Sequence, residues 1–510
     1  MEKKKNNHLP RIMYDQTQFT AVYWIDKNGL WLNEDGYNGM HKISGYAPSA
    51  WITYTQNIPE SFWFGAYDED AIEKEAEVGL KTFSDPAFLK KFEDATKKSY
   101  EMTAELKNQY LKDFLGKEKE SVMKIPEKLE EFLRKIREAN TFMLSHYFLT
   151  QPQRFYKFEE ELKKEGLNKD TELISTNGRS LTYVSELRKA ILDYTQNVLS
   201  SGISPDKYKA EHASEYSSLL QIANRLGFLN RGLLGGELID DKHIDNEVEV
   251  LISDKTKFTE EKTKMDELVT TIKRRGDLLE ANHSRAYALA DIMGHSSVLR
   301  FDLQTCILCI LKFSDDLLKE VIIKHGLTET ELKSYEFDEV LKLVKEGVKI
   351  SNDLVIERQK GFLRVYREGD VKTYLAEDAH KEIADLLEFR KNEISQTKAL
   401  KGTVASWPDK KVEIIKGKAF VLTTAFGADD VIKAMKPGEI LVATQTHPAL
   451  VPYMKESLAI LTDEGGITCH AAIVSRELGK PCIIGTRLAT KILKTGDEIT
   501  MNLRTGEITK

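Results

Sequence analysis

The sequence predicts a multidomain protein, a largely α-helical N-terminal and central region followed by a compact α/β domain. Three observations carry that prediction. Apolar residues recur at helical spacing through a long, charged stretch that opens near Asp85. A mostly polar connector, residues 395–402, follows it. Beyond the connector the pattern changes to short apolar runs punctuated by Gly and Pro, the mark of buried strands. The chain therefore divides into an aromatic-rich mixed segment (1–84), a helical domain (85–394), a linker (395–402) and the α/β domain (403–510).

In the first segment, Tyr23-Trp24-Ile25 and Leu30-Trp31-Leu32 flank Asp26-Lys27-Asn28-Gly29, a hairpin signal around Asn-Gly. Trp51, Phe62, Trp63 and Phe64 either line a substrate pocket or form a small core, and the core is the simpler reading. Asp85-Pro86 supplies an N-cap and a proline at the first helical position. Phe88, Phe92, Ala95, Met102 and Leu106 then recur near helical spacing until Gly116. After Ile125-Pro126 a second helix carries Leu129, Phe132, Leu133, Ile136, Ala139 and Met143 as a stripe, which His146 extends as a core histidine. Residues 337–350 and 353–366 continue the helical pattern, so the domain is expected to be elongated or bundled. Cys306-Ile307-Leu308-Cys309 lies in an apolar run without a second ligand pair, which suits packing better than zinc. His283, Arg285, His295 and Arg300 read as a solvated helical face.

In the α/β domain, residues 412–415 and 418–422 are strand-like around Lys416-Gly417, a hairpin signal. Residues 429–435 read as a short helix ended by Pro437-Gly438. Buried strands are expected at 440–443, 459–461, 482–484 and 498–502, with a final turn over Asn502-Leu503-Arg504-Thr505-Gly506. The most informative run is Thr462-Asp463-Glu464-Gly465-Gly466-Ile467-Thr468-Cys469-His470. Gly465-Gly466 removes side-chain bulk at a sharp turn, and a helix over 471–478 is stopped by Gly479 and Pro481. His470 falls in the first turn, beside unpaired N–H groups and the positive end of the helix dipole. That field disfavours imidazolium, keeps a lone pair available and favours an anionic phosphoryl group once one is attached. Gly465, Gly466, Thr468 and Cys469 are the candidate supports for phosphate binding or helix capping, and Thr468 fits either role. Arg476 lies six positions beyond His470 and points away from it, towards nearby carboxylates or a docking partner.

Several ordered blocks place this segment in a known context. Gly438-Glu439-Ile440-Leu441-Val442, then Thr446-His447-Pro448-Ala449-Leu450-Val451-Pro452-Tyr453-Met454, the Gly-Gly-x-Thr-x-His-Ala-Ala run, and Gly479-Lys480-Pro481-Cys482-Ile483-Ile484-Gly485 follow one another. In these blocks the chain resembles the phosphohistidine (swivelling) domain of the phosphoenolpyruvate-utilising enzymes, the family of phosphoenolpyruvate synthase, pyruvate phosphate dikinase and rifampicin phosphotransferase. The resemblance implies that His470 is the phosphorylated histidine, in a compact swivelling α/β domain of about 110 residues, an ordinary size for an independent core. It also implies that ATP and Mg2+ are bound mainly by a nucleotide-binding domain of the ATP-grasp type. Two departures stand out: Cys469 replaces the common Ser, and His447 stands where an acidic residue is frequent. His447 reads as an auxiliary proton group or, more simply, as a surface loop histidine.

No Gly-rich phosphate loop followed by acidic metal-binding strands is legible, and no strand–helix alternation long enough for a barrel. The sequence therefore predicts one subunit of a split phosphotransferase. It would carry a phosphoryl group from a separate ATP-grasp subunit, holding ATP and Mg2+, to pyruvate or another small hydroxyl or enol compound. The alternative is a non-enzymatic phosphocarrier or regulatory docking protein. No metal site is expected on this chain itself. With 510 residues, 30% charged and a net charge of -7, the composition is that of an ordinary soluble protein and argues against nucleic-acid binding. The lack of a membrane-length apolar run or secretory signal gives a cytoplasmic, membrane-free expectation, and four cysteines are too few for a disulfide framework.

Overall fold

The computed structural model describes residues 12–15, 43, 50–55, 61–67, 69–115, 125–150, 152–226, 239–332, 334–367, 370–382, 384, 400–422, 434–446, 450–463, 465, 469–486 and 488–510. They fall into two units, one comprising residues 27–46 and 77–349, the other residues 1–26, 47–76 and 350–510.

The first unit is helical. Asp85 caps the Pro86–Tyr110 helix by accepting from the Ala87 N–H at 2.9 Å, with Pro86 at the first position as its sequence requires. The Pro126–Leu149 helix buries Leu129, Phe132, Leu133, Ile136, Ala139 and Met143 along one stripe. His146 lies on that stripe, its ring against Phe142 and Phe92 and its Nδ1 2.8 Å from the Phe142 carbonyl oxygen. Burial lowers its pKa and keeps it neutral. Both helices pack on the Arg285–His325 helix, whose 41 residues span about 60 Å. Cys306 and Cys309 sit fully buried in its middle, with desolvation pushing both thiols up. Gly294 permits a close approach: a Cβ there would lie 2.2 Å from the Ile174 carbonyl oxygen.

The expected solvated face holds for His283 and Arg285, which are exposed, and fails at His295 and Arg300. His295 is buried, with Nε2 2.9 Å from Glu93 Oε1, and Arg300 donates to the Thr150 carbonyl and the Tyr147 hydroxyl. Arg285 pairs with Glu161. His295 and Arg300 take their partners from other parts of the chain, which a one-helix spacing argument cannot see.

The second unit contains two sheets. The smaller has the antiparallel order β1-β3-β2-β4-β5, from β1 (Ile12–Asp15), β2 (Ala50–Thr55), β3 (Ser61–Tyr67), β4 (Phe362–Arg367) and β5 (Asp370–Leu375). Trp51 lies on β2, and Phe62, Trp63 and Phe64 on β3, with Trp63 opposite Thr53. The 23–32 hairpin lies outside the described residues. Strands β4 and β5 fall inside the stretch read as helical. The helix there is Asn352–Lys360, and the chain is extended from Phe362. Tertiary pairing outweighs helical periodicity at this point, since β4 hydrogen-bonds to β2, some 300 residues earlier.

The larger sheet forms the C-terminal α/β domain. Its order is β6-β13-β12-β8-β9-β10-β11-β7, from β6 (Leu400–Lys401), β7 (Thr403–Ser406), β8 (Ile414–Leu422), β9 (Ile440–Ala443), β10 (Ala459–Thr462), β11 (Cys482–Ile484), β12 (Glu498–Asn502) and β13 (Glu507–Thr509). Strands β8, β9, β10 and β11 run parallel, and the flanking pairs are antiparallel. Ile440, Val442, Ala459 and Leu461 pack into one core, while Leu441, Ala443 and Ile460 pack into another. The central strands are thus buried on both faces, which explains their unbroken apolar runs. The expected hairpin at Lys416-Gly417 is instead a continuous β8. Gly417 serves close packing: its Cβ would lie 3.0 Å from Leu458 Cδ2. The expected linker ends in this sheet, since 400–401 form β6 and Gly402 N–H donates to the Gly506 carbonyl at 2.9 Å. The 429–435 helix lies almost wholly outside the described residues. No described helix is long and apolar enough to cross a membrane.

Candidate active site

The loops leaving β9, β10 and β11 converge at the carboxyl ends of parallel strands, where open α/β sheets place their ligands. The loop after β10 leads into the His470–Glu477 helix, which starts one residue earlier than the sequence suggested. Its N-cap is consequently Cys469, whose Sγ accepts from the Ala472 N–H at 3.4 Å. Thr468, the other capping candidate, lies outside the described residues, as do Gly466 and His447. Ala471 and Ala472 are buried in the core that contains Leu441, Ile460 and Cys482, so small side chains seat the helix directly on the sheet. Burial pushes the Cys482 thiol up to about 12, leaving it a packing group. Lys480 N–H closes the helix on the Ser475 carbonyl at 2.8 Å, with Gly479 left-handed at φ +61.

His470 is the first helical residue and is partly exposed. Its Nδ1 is 2.7 Å from Thr446 Oγ1, on the loop after β9. This pairing fixes the ring plane and couples the tautomer to one hydroxyl: when Nδ1 carries the proton and donates to Thr446, the lone pair resides on Nε2. Sequence reasoning quoted Thr446 within a motif block and gave it no role. Twenty-four residues separate the two, and only the fold brings them together.

Gly465 takes φ +121, and a Cβ there would lie 2.6 Å from Cys469 Sγ, so the turn needs glycine for both conformation and space. Asp463, a second residue given no role from sequence, is buried at the root of the loop and accepts from Thr486 and Thr490. Arg476 Nε donates to the Ala472 carbonyl at 3.0 Å, turning back along its own helix.

A histidine thus stands at a helix start, at the carboxyl edge of a parallel sheet, with Nδ1 engaged by a hydroxyl. Residues 435–506 match the family described as PEP-utilising enzyme, mobile domain. Over these residues the chain is similar to the mobile domain of the phosphoenolpyruvate-utilising enzymes. It is similar to the phosphoenolpyruvate synthase of Pyrococcus furiosus, 36% identical over 209 residues that cover 39% of this chain and 23% of that protein. The probable phosphoenolpyruvate synthase of Archaeoglobus fulgidus is 58% identical over 71 residues, covering 14% of this chain and 9% of that protein. The phosphoenolpyruvate synthase of Deinococcus radiodurans is 41% identical over 100 residues, covering 18% and 13%. The match spans less than a quarter of the length of these relatives.

Proposed function

We propose that this chain is a phosphotransferase component in which His470 carries a phosphoryl group between a nucleotide-binding partner of the ATP-grasp type and a small acceptor, either pyruvate or another hydroxyl or enol compound. The observation that supports this most directly is the 2.7 Å pairing of His470 Nδ1 with Thr446. With Nδ1–H donating to Thr446, Nε2 attacks the phosphorus in line. An N–P bond forms, the P–O bond to the nucleotide breaks, and the nucleotide oxygen keeps the electron pair. As positive charge grows on the ring, the Nδ1–H···Oγ1 hydrogen bond strengthens. The acceptor oxygen, deprotonated as an alkoxide or enolate with its proton released to solvent, then attacks the same phosphorus; the N–P bond breaks, its electron pair returns to Nε2, and the ring is neutral again.

Each chain residue has a separate part in this reading. Gly465 lets the loop turn, Cys469 caps the helix, and the helix N-terminus favours the transferred anion. Among the described residues no group of three or more His, Cys, Asp or Glu is placed to hold a metal ion, and the reading leaves ATP and Mg2+ to the partner. The test is incubation with ATP, Mg2+ and candidate ATP-grasp proteins, followed by detection of an acid-labile phosphate lost in His470→Ala. Discharge of that phosphate to a small molecule supports an enzyme; discharge only to another protein supports a carrier.

A further inference from the structure

One buried carboxylate, Asp463, joins the end of β10 to the loop after β11. Asp463 directly follows β10, and its own N–H donates to the Ala443 carbonyl at the end of β9, at 3.1 Å. From the β11 side, the Thr486 hydroxyl lies 3.0 Å from Asp463 Oδ1, and the Thr490 N–H lies 3.2 and 3.3 Å from the two carboxylate oxygens. The Thr490 hydroxyl donates to Oδ2 in a short contact. Thr486 is fastened to the same strand end a second time, its N–H donating to the Thr462 carbonyl at 3.0 Å. All three side chains are buried at about 5% exposure, so little water competes for these bonds.

The consequence for the histidine is geometric. Asp463 is the last fixed point before the chain turns at Gly465, and the Gly465 carbonyl oxygen lies 3.4 Å from where a Cβ on Gly485 would sit. The loop bearing His470 therefore stacks on the loop after β11, while its root is bonded to the end of β9, three residues before Thr446. The span between Thr446 Oγ1 and His470 Nδ1 depends on how these roots are held together.

We propose that Asp463 is a positioning residue for His470: its carboxylate ties the end of β10 to the loop after β11, and this holds the imidazole against Thr446 and keeps the Nδ1–H tautomer. This rests on the reading of His470 as the phosphoryl carrier, but it has a readout that needs no phosphoryl chemistry. The full chain with 15N-labelled histidine is compared with Asp463→Asn, Thr490→Val and Thr490→Ser, following the His470 ring nitrogens by NMR. Thermal unfolding checks that each variant is folded. Labelling of His470 by phosphoramidate, a small chemical phosphoryl donor, follows in parallel.

The expected result is a shift of about three- to tenfold in tautomer ratio, with a matching fall in labelling rate, for Asp463→Asn and Thr490→Val. Thr490→Ser keeps the hydroxyl and stays within about twofold of wild type. If Asp463→Asn and Thr490→Val lower the melting temperature yet leave the His470 nitrogen signals as in wild type, the proposal is overturned and Asp463 serves fold stability alone. If wild-type His470 accepts no phosphate, the carrier reading fails, and the nitrogen signals still decide the role of Asp463.

Discussion

Thr446→Val removes the hydroxyl that lies 2.7 Å from His470 Nδ1 and leaves a side chain of nearly the same shape, so its effect reports on that contact. A neutral hydrogen bond contributes about 0.5–1.5 kcal/mol, which predicts a two- to tenfold change in the ratio of ring tautomers. Attack by Nε2 places positive charge on the ring, and a hydrogen bond to a charged group is worth about 1.5–3 kcal/mol. The rate of phosphoryl uptake should therefore fall by more than the tautomer ratio, by roughly ten- to a hundredfold. The first quantity is read from long-range 1H–15N NMR of the labelled histidines, and the second from acid-labile incorporation with phosphoramidate. A Thr446→Ser variant should restore most of both. Variants that leave the tautomer ratio and the uptake rate within twofold of wild type would refute the mechanism, because Nδ1 would then not depend on Thr446.

Three further outcomes follow from the same geometry. Cys469→Ser should raise and Cys469→Ala lower the thermal stability of the α/β domain, each by about 0.5–1 kcal/mol, since a hydroxyl is the better acceptor for the Ala472 N–H now bonded to sulfur; calorimetry reads both. Gly465→Ala should cost about 1–3 kcal/mol, because φ +121 and a Cβ contact of 2.6 Å to Cys469 Sγ act together, and adding Cys469→Ala should relieve only the contact. In the helical unit, desolvation raises Asp302 from 3.8 to about 8 although it accepts from the Tyr183 N–H. The native state then holds a proton that the unfolded chain releases, so this contribution is full below pH 4 and is lost as pH rises towards 8. Its full size is roughly 6 kcal/mol. Asp302→Asn should flatten the decline in denaturant stability between pH 5 and 8, and an unchanged slope would show that Asp302 ionises normally.

The fold was legible where local signals and burial agree. The Asp85-Pro86 start and the apolar stripe of the Pro126–Leu149 helix appear as their side-chain chemistry requires. The buried strands β9, β10 and β11 were equally plain, because strands covered on both faces have no polar residues to blur them. What failed was non-local. Lys416-Gly417 has the composition of a turn, but both residues pair with β12, and Leu458 and Ile440 leave no room for a side chain at Gly417. Residues 362–366 continue a helical pattern, yet β2 offers a hydrogen-bonding edge that no local window contains. The site divides in the same way. His470, the turn at Gly465 and the capping capacity of Cys469 are contiguous in the chain. Thr446 and the Asp463–Thr486–Thr490 cluster depend on three strand ends meeting, and only the sheet order brings them together.

Whether His470 accepts and passes on a phosphoryl group is read from phosphate incorporation with ATP, Mg2+ and an ATP-grasp partner, followed by peptide mapping of the acid-labile product. One labelled site is expected, at His470, abolished in His470→Ala and discharged on addition of the acceptor. Label that persists in His470→Ala, or no label with any nucleotide-binding partner, would contradict it.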